Sequence, residues 1–592
     1  MREQLRYQLW IVAAAGVIFF THLGATALWD MDEALYTTCA REMLERGDWI
    51  EPWFNGEMFP EKPPLMFWTM MAGFELFGGV SEFAARFFSA LMGVGTALAA
   101  FHLGRILFNI RIGLWTGLIT ASTIVFTISA RAATVDSALT FFTTLAFLLF
   151  VTGSRFFRAE SQTSDAGSPW CAQNGLTFFR AVLMYACVGV TVLGKGPVGM
   201  VLPLAAMGLY LLVTNGWRKL LWSVWWMRPL TALVVIAAVA LPWYVWVGIQ
   251  TDGRWLREFF FEFNLRPFKQ PILGHGDASS LQRTLAFLIS LLYYFYHIPA
   301  LLVGFFPWSV FLGPTLIETF RRVRRGTERG AEFVRQRNGC LLALCWFGVW
   351  FVFWSICKTK LPHYLLPAYP ALAMLTACFV DRWLSDPASL RRWWLRNAWI
   401  STIFAGVGIA IAVPVIAAIY LPGEEWIGSV GVILVLGGGV CWWSTAHGRH
   451  QRAATFFTVM SVAFLTAVFG YAAQRVDRHQ NAIPMIAAIR ADSPQSARPP
   501  IATYRFFRES TVCYAGYSVT RCDENQPEGR SAREELARFI AGADRSYVIT
   551  TDEYESEINE AFPGKFRVIF RHRRFLGPGE MVVLGMGSES GD

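Results

Sequence analysis

Apolar residues in this chain fall into long blocks separated by short polar stretches. Most blocks run for roughly 18–22 residues, the length of a helix that crosses about 30 Å of hydrocarbon. The pattern predicts about thirteen transmembrane helices, over 9–29, 81–102, 112–130, 137–153, 180–194, 197–214, 229–248, 286–314, 340–356, 364–380, 398–419, 427–444 and 454–472. The block 286–314 is overlong, which predicts a tilted helix or one that starts in the interface. Pro64 to Gly79 is apolar but short and carries Glu75, so it reads as an interfacial or re-entrant helix. From about Tyr471 onward polar residues dominate. There Ser546 to Thr551, Phe566 to Arg571 and Glu580 to Leu584 read as strands, and Ser531 to Ile540 as an amphipathic helix. The fold class is an all-α polytopic membrane protein, residues 1–472, with a small C-terminal α/β domain, residues 473–592.

Charge orients this pattern. Arginines mark every second loop: Arg2 and Arg6; Arg105 and Arg111; Arg155, Arg158 and Arg180; Arg218, Lys219 and Arg228; Arg321 to Arg337; Arg382, Arg391, Arg392 and Arg396; Arg449 and Arg452. By the positive-inside rule these face the cytoplasm. The loops 30–80, 131–136, 194–197, 249–285, 357–363 and 420–426, and everything after 472, then face outward. This predicts a multi-pass protein of the inner membrane with a cytoplasmic N-terminus and a periplasmic C-terminal domain. The first block has no small-residue cleavage site before Asp30 and reads as a retained helix. The net charge of +9 could suggest nucleic acid, but its arginines lie in short loops between apolar blocks, so no nucleic-acid partner is expected. Most of the ten cysteines sit in apolar blocks. Cys513 and Cys522 lie outside them and could pair in an oxidising compartment or remain free.

Only 16% of the residues are charged, yet Asp30 to Leu65 holds Asp30, Asp32, Glu33, Glu42, Asp48, Glu51, Glu57, Glu61 and Lys62. Carboxylates next to a bilayer are costly unless a cation, metal or substrate holds them. Asp32-Glu33 directly follows the first block. Asp32 reads either as a general base or orienting carboxylate, or as an N-cap. In Glu61-Lys62-Pro63-Pro64 two prolines fix the backbone and aim the charged pair. Asp136 lies at the outer end of a span, shortly after Arg131. Lys195, between Gly194 and Gly196, lets the backbone approach an anion; the Walker A pattern is absent, so no nucleotide cofactor is expected. The loop with Arg266, Lys269 and His275 could complete a divalent-metal site with Glu61 or Asp32. Lys358 and Lys360 lie beside Tyr364 at another outward helix end. Carboxylates that activate a hydroxyl, facing cations that neutralise a departing phosphate, describe group transfer from a phospholipid-like donor.

These motifs, in order over residues 30–375, resemble the bacterial lipid-linked glycosyltransferases of C-type fold. The group is that of the dolichyl-phosphate-mannose protein mannosyltransferases, and includes the undecaprenyl-phosphate aminoarabinose transferases that modify lipid A. The motifs are Asp32-Glu33, Glu61-Lys62-Pro63-Pro64-Leu65, Val135-Asp136, Leu193-Gly194-Lys195-Gly196-Pro197, the Arg266-to-His275 loop and KTKLPHYLLPAYPALA from Lys358. The resemblance implies a polyprenyl-phosphate sugar donor, a lipid or protein acceptor and inverting transfer at the periplasmic face. It implies Asp32 as the principal catalytic carboxylate, with Glu33 beside it and Asp136 as partner. Lys62, Lys195, Lys360, Arg266 and Arg131 would bind the donor phosphate, with Lys358 and Tyr364 nearby. Glu61 and His275 would hold one divalent ion, Zn, Mg or Mn. Two departures from the family pattern, Ala34-Leu35-Tyr36 and the proline in Leu265-Arg266-Pro267-Phe268, bear on which sugar and acceptor are used. The alternative from another class is a lipid or solute transporter or flippase, which would place ionisable residues in broken helices near the bilayer midplane.

Overall fold

Most apolar blocks become helices, and recognisable residues set their ends. The computed structural model describes residues 1–153, 176–265, 294–325, 331–524, 531–542 and 545–586. The first helix, α1 (Arg2–Phe20), starts at residue 2 and not at 9, and stops at Phe20 and not at 29. The rest of that apolar block is a partly buried loop. Leu23, Ala27 and Leu28 are buried in protein, and Arg86 donates to the carbonyls of Leu23, Thr26 and Ala27 at 3.1, 2.8 and 2.8 Å. A loop whose carbonyls meet a guanidinium has the composition of a membrane span without being one.

The next helix, α2 (Asp32–Arg46), ends at Gly47, whose φ of 65° lets the chain turn away. A hairpin, β1 (Trp53–Phe54) and β2 (Glu57–Met58), turns at Asn55-Gly56, both at positive φ. Helix α3 (Leu65–Phe77) has 13 residues, too short to cross, as the interfacial reading expects. Ser81 caps α4 (Glu82–Leu107) and Asn109 caps α5 (Ile110–Ala121). Helix α6 (Ile124–Arg131) meets α5 at a 65° bend. Then follow α7 (Val135–Gly153), α8 (Phe178–Lys195), α9 (Pro197–Asn215), α10 (Trp217–Trp226) and α11 (Pro229–Gln250). Later helices include Ala331–Ile356, Tyr369–Ser385, Arg392–Tyr420, Val430–Ala446 and His450–Thr466.

Among the described residues ten helices are long and apolar enough to cross a membrane, and two bent pairs bring the number to twelve. Helix α1, at 19 residues, occupies the remaining expected place although it opens on Arg2, Glu3 and Arg6. The overlong block 286–314 is not one straight span. Its described part holds two helices, His297–Gly304 and Trp308–Arg324, meeting at 114° around Pro307, which has no N–H to continue a helix. Helices α4 and α5 pack through glycine: a Cβ on Gly113 would lie 2.7 Å from the Phe101 carbonyl. Such small-residue contacts are how helices approach closely in lipid.

The C-terminal domain is one five-stranded sheet with helices. Its strands are β3 (Ile501–Tyr504), β4 (Thr520–Cys522), β5 (Tyr547–Thr551), β6 (Phe566–Arg573) and β7 (Glu580–Met586), in the order β4-β3-β5-β7-β6. The β3 pairings are parallel and those of β7 antiparallel. The expected amphipathic helix is Ala532–Ala541, started by a capping box of Ser531 and Glu534. Cys513 and Cys522 are both free and buried. The domain sits on the first polar loop. Asn55 donates to the Val519 carbonyl at 2.9 Å and accepts from its N–H at 2.7 Å, and Arg41 donates to the Cys513 carbonyl at 2.8 Å.

Three distant segments meet at Glu33, its own and those of Arg86 and Ala133. Arg86, on α4, donates to both of its carboxylate oxygens, at 2.8 and 2.7 Å. The N–H groups of Ala133 and Trp29 donate to the same oxygens at 2.8 and 3.1 Å. Burial alone would raise the Glu33 carboxyl, but Arg86 and the two N–H groups override it and hold it below the ordinary carboxylate value. Such a group contributes stability at neutral pH and loses it as the pH falls through its folded-state value. Glu33→Ala is expected to cost about 3–5 kcal/mol, because it strands a buried guanidinium. In detergent-purified protein the unfolding temperature should drop accordingly, and that of the wild type should fall more steeply with acid than that of Glu33→Gln.

Candidate active site

The residues that the sequence singles out stand at helix ends, and the fold brings those ends together. Asp32 opens α2, Asp136 opens α7, Lys195 closes α8, and His363 lies at the start of the segment leading into Tyr369–Ser385. Asp136 is buried. Lys195 Nζ donates to Asp136 Oδ1 at 2.9 Å, and His363 Nε2 stands 3.8 Å from Asp136 Oδ2. The same ammonium lies over the Tyr364 ring, 4.8 Å from its centroid. Gly196 follows Lys195 at a φ of 65°, and a Cβ there would lie 2.7 Å from the Phe259 ring. Only glycine closes this turn, so the lysine is held at its apex.

Asp32 differs from Asp136. It is exposed to a cavity of about 550 Å³. Burial together with the nearby Asp32 charge pushes the Tyr36 hydroxyl well up from its ordinary value. Asp30, Asp136 and His363 line the same cavity, whose apolar wall includes Val125, Ile128 and Phe469. Glu61 and Lys62 are half-buried beside it. Burial raises the Glu61 carboxyl; Lys62 opposes this, and Asp32 and Glu509 add to it. Burial lowers the Lys62 ammonium, against the pull of Glu61 and with the repulsion of Lys195. Three indoles hold the backbone of this loop. Trp68 donates to the Trp49 carbonyl at 2.7 Å, Trp243 to Ile50 at 3.0 Å and Trp255 to Phe59 at 3.1 Å.

The fold therefore gathers Asp32, Asp136, Lys62, Lys195, Glu61 and Tyr364. It uses three other expected residues differently. Glu33 also lines the cavity, but it spends both oxygens on Arg86 and backbone N–H groups and so ties the start of α2 to α4 beside Asp32. Lys360 donates to the carbonyls of Trp354, Ser355 and Cys357 at 3.3, 2.5 and 2.9 Å, closing the helix Ala331–Ile356. Arg131 borders the cavity but donates to the carbonyls of Ile18, Phe19 and Phe469 at 2.8, 3.0 and 2.9 Å, pinning two chain segments. Lys358 is exposed next to Lys360. Arg266 and His275 lie outside the described residues, so the expected metal pair is present here only through Glu61. Among the described residues no three acidic, histidine or cysteine side chains converge as a metal set. His363 was not picked from the sequence. Its signal was its position between Lys360 and Tyr364, in the same cluster as residues that were.

Comparison with known proteins gives the same picture. Residues 9–256 match the family model described as dolichyl-phosphate-mannose-protein mannosyltransferase. An uncharacterised protein of Aquifex aeolicus is 28% identical over 366 residues, 62% of each chain. The undecaprenyl phosphate-alpha-4-amino-4-deoxy-L-arabinose arabinosyl transferase of Edwardsiella ictaluri is 27% identical over 457 residues, 76% of this chain and 73% of that one. The fold is similar to that of ArnT from Cupriavidus metallidurans. The TM-score is 0.74 to its apo state, at 22% identity, over 98% of this chain and 97% of that one. It is 0.73 to the same protein bound to undecaprenyl phosphate, at 21% identity and 98% of both chains. The transporter reading finds no support among these proteins. Family model, relatives and fold all liken this multi-pass membrane protein to the lipid-linked glycosyltransferases, the protein mannosyltransferases over residues 9–256 and the arabinosyl transferases over most of the chain, and its fold is that of ArnT.

Proposed function

We propose that the protein moves a sugar from a polyprenyl-phosphate donor to an acceptor hydroxyl or phosphate, with inversion at the sugar carbon. The observation that carries this reading is the single cavity in which Asp32, Asp136 and His363 share walls with an apolar surface. A polyprenyl-phosphate sugar has that same division, an apolar tail and an anionic head. In the reaction the bond from the sugar carbon to the phosphate oxygen breaks and a bond to the acceptor oxygen forms on the opposite face. Asp32, open to the cavity, takes the proton of an acceptor hydroxyl. Asp136 holds Lys195 at 2.9 Å, and Lys195 and Lys62 balance the charge that develops on the departing phosphate.

The first candidate sugar and acceptor are 4-amino-4-deoxy-L-arabinose and lipid A, on the strength of the named arabinosyl transferases. Mannose transfer to protein or to another lipid is the second reading, favoured by the family model over residues 9–256. We assign the reaction to the periplasmic face, with the N-terminus in the cytoplasm. The support is charge: the site residues lie at the shared ends of α2, α7 and α8, while Arg105, Arg111, Arg218, Lys219 and Arg228 lie at or beyond the other helix ends.

A divalent ion, Zn, Mg or Mn, belongs to the same proposal. Glu61 faces Asp32 and Glu509 with Lys62 as its neighbouring cation, an acid-rich setting that a further cation would relieve. With His275 it would hold an ion that draws charge from the donor phosphate. Reconstituted protein given undecaprenyl-phosphate aminoarabinose and lipid A is expected to transfer the sugar. A mass increase on protein or another lipid, in envelopes with and without the protein, would instead support the second reading. Asp32→Asn is expected to lower turnover by about 10²- to 10⁴-fold while expression and thermal unfolding stay as in the wild type; wild-type turnover would remove the central assignment. Chelation is expected to slow transfer, with recovery on adding back metal, and an unchanged rate would argue against the ion.

A further inference from the structure

The C-terminal domain grips the chain immediately before the helix that carries Asp32. Arg508 Nη1 meets Asp30 Oδ2 at 2.7 Å, and the Ser510 N–H donates to Asp30 Oδ1 at 3.1 Å. The Met31 N–H donates to Glu509 Oε2 at 3.3 Å, and the Leu28 N–H donates to the Tyr514 hydroxyl at 2.7 Å. Met31 has a φ of 67°, a conformation that residues with side chains rarely take. Its side chain is 73% exposed, so packing does not hold the turn. Contacts from residues 508–514 hold it from one side, and from the other the Trp29 N–H on Glu33 and the Ala34 N–H on the Trp29 carbonyl. Asp30 and Asp32 line one cavity, and Arg508 pairs with the first of them.

We infer that Arg508 is a positioning residue for Asp32. Through Asp30 it fixes the turn that aims the Asp32 carboxylate, and it offsets the Asp30 charge that would otherwise stand unpaired beside that carboxylate. The role of Asp32 in transfer is taken from the reading above; the coupling itself does not depend on it. Asp32 also faces Tyr36 and Glu33 on its own helix, Glu61 and Lys62 from the following loop, Lys195 at the end of α8, and His363 and Tyr364 across the cavity. Arg508 reaches this group of charges from the C-terminal domain and engages it through Asp30.

The test puts a titrating reporter at position 32. In full-length Asp32→Cys protein, the rate of alkylation by iodoacetamide is followed against pH, with the modified site read by peptide mass spectrometry. The natural cysteines among the described residues are all buried. Adding Arg508→Ala is expected to move the profile up by about half a unit to one unit, because an unpaired carboxylate then faces the thiolate. Adding Asp30→Asn as well should bring it back, and Arg508→Lys should move it little. Should Arg508→Ala fail to fold, Asp30→Asn alone is expected to move the profile down, since it leaves the Arg508 cation uncompensated. With Asp32 intact, Arg508→Ala should lower kcat at least about tenfold while the donor KM changes by less than about twofold. An unmoved alkylation profile, or a rise that Asp30→Asn does not reverse, overturns the inference. A wild-type protein that transfers no sugar counts against the proposed reaction, while the alkylation profile still decides the coupling.

Discussion

A carboxylate buried between helices is costly unless a cation and hydrogen bonds hold it, and here one such carboxylate organises the active end of the molecule. Glu33 accepts from Arg86, Ala133 and Trp29, and Arg86 passes its remaining donors to the loop after α1. Three stretches of chain are therefore fixed relative to one another at a single point. Asp32 is the neighbour of Glu33, and Asp136 follows Ala133 within one turn. The pair sets their relation from the wall of the same cavity. Replacing such a pair with apolar residues often leaves stability intact, so its value here lies in geometry.

Around that point the two acids have been given opposite settings. Asp136 is buried and tied to Lys195, and Asp32 is exposed to the cavity. Two acids whose surroundings differ in this way can divide a reaction between them, one holding charge in place and one exchanging a proton. The cations are divided as well. Lys195 is bonded to Asp136 with Lys62 nearby, whereas Lys360 closes a helix end and Arg131 pins loops.

Much of this was legible in the sequence because it rests on periodicity and sidedness. Blocks of span length, arginines in alternate loops and the Asp32, Lys62, Asp136 and Lys195 motifs required no contact information. What was not legible required it. A lysine at a helix end looks the same whether it meets a distant carboxylate, as Lys195 does, or its own helix carbonyls, as Lys360 does. Asp32 and Glu33 are adjacent carboxylates, and only the position of Arg86 separates their roles. The 9–29 block misled because loop residues buried under a guanidinium are as apolar as residues facing lipid. His363 gave little signal because a single histidine in a polar stretch is ordinary; its 3.8 Å approach to Asp136 exists only in the folded chain.

The grip on the Asp30-Met31 turn joins positions 478 residues apart. A ribosome finishes the first of them long before it reaches the second. Throughout synthesis the nascent protein holds its acids and lysines without the brace that orients them, and a truncated product never acquires it.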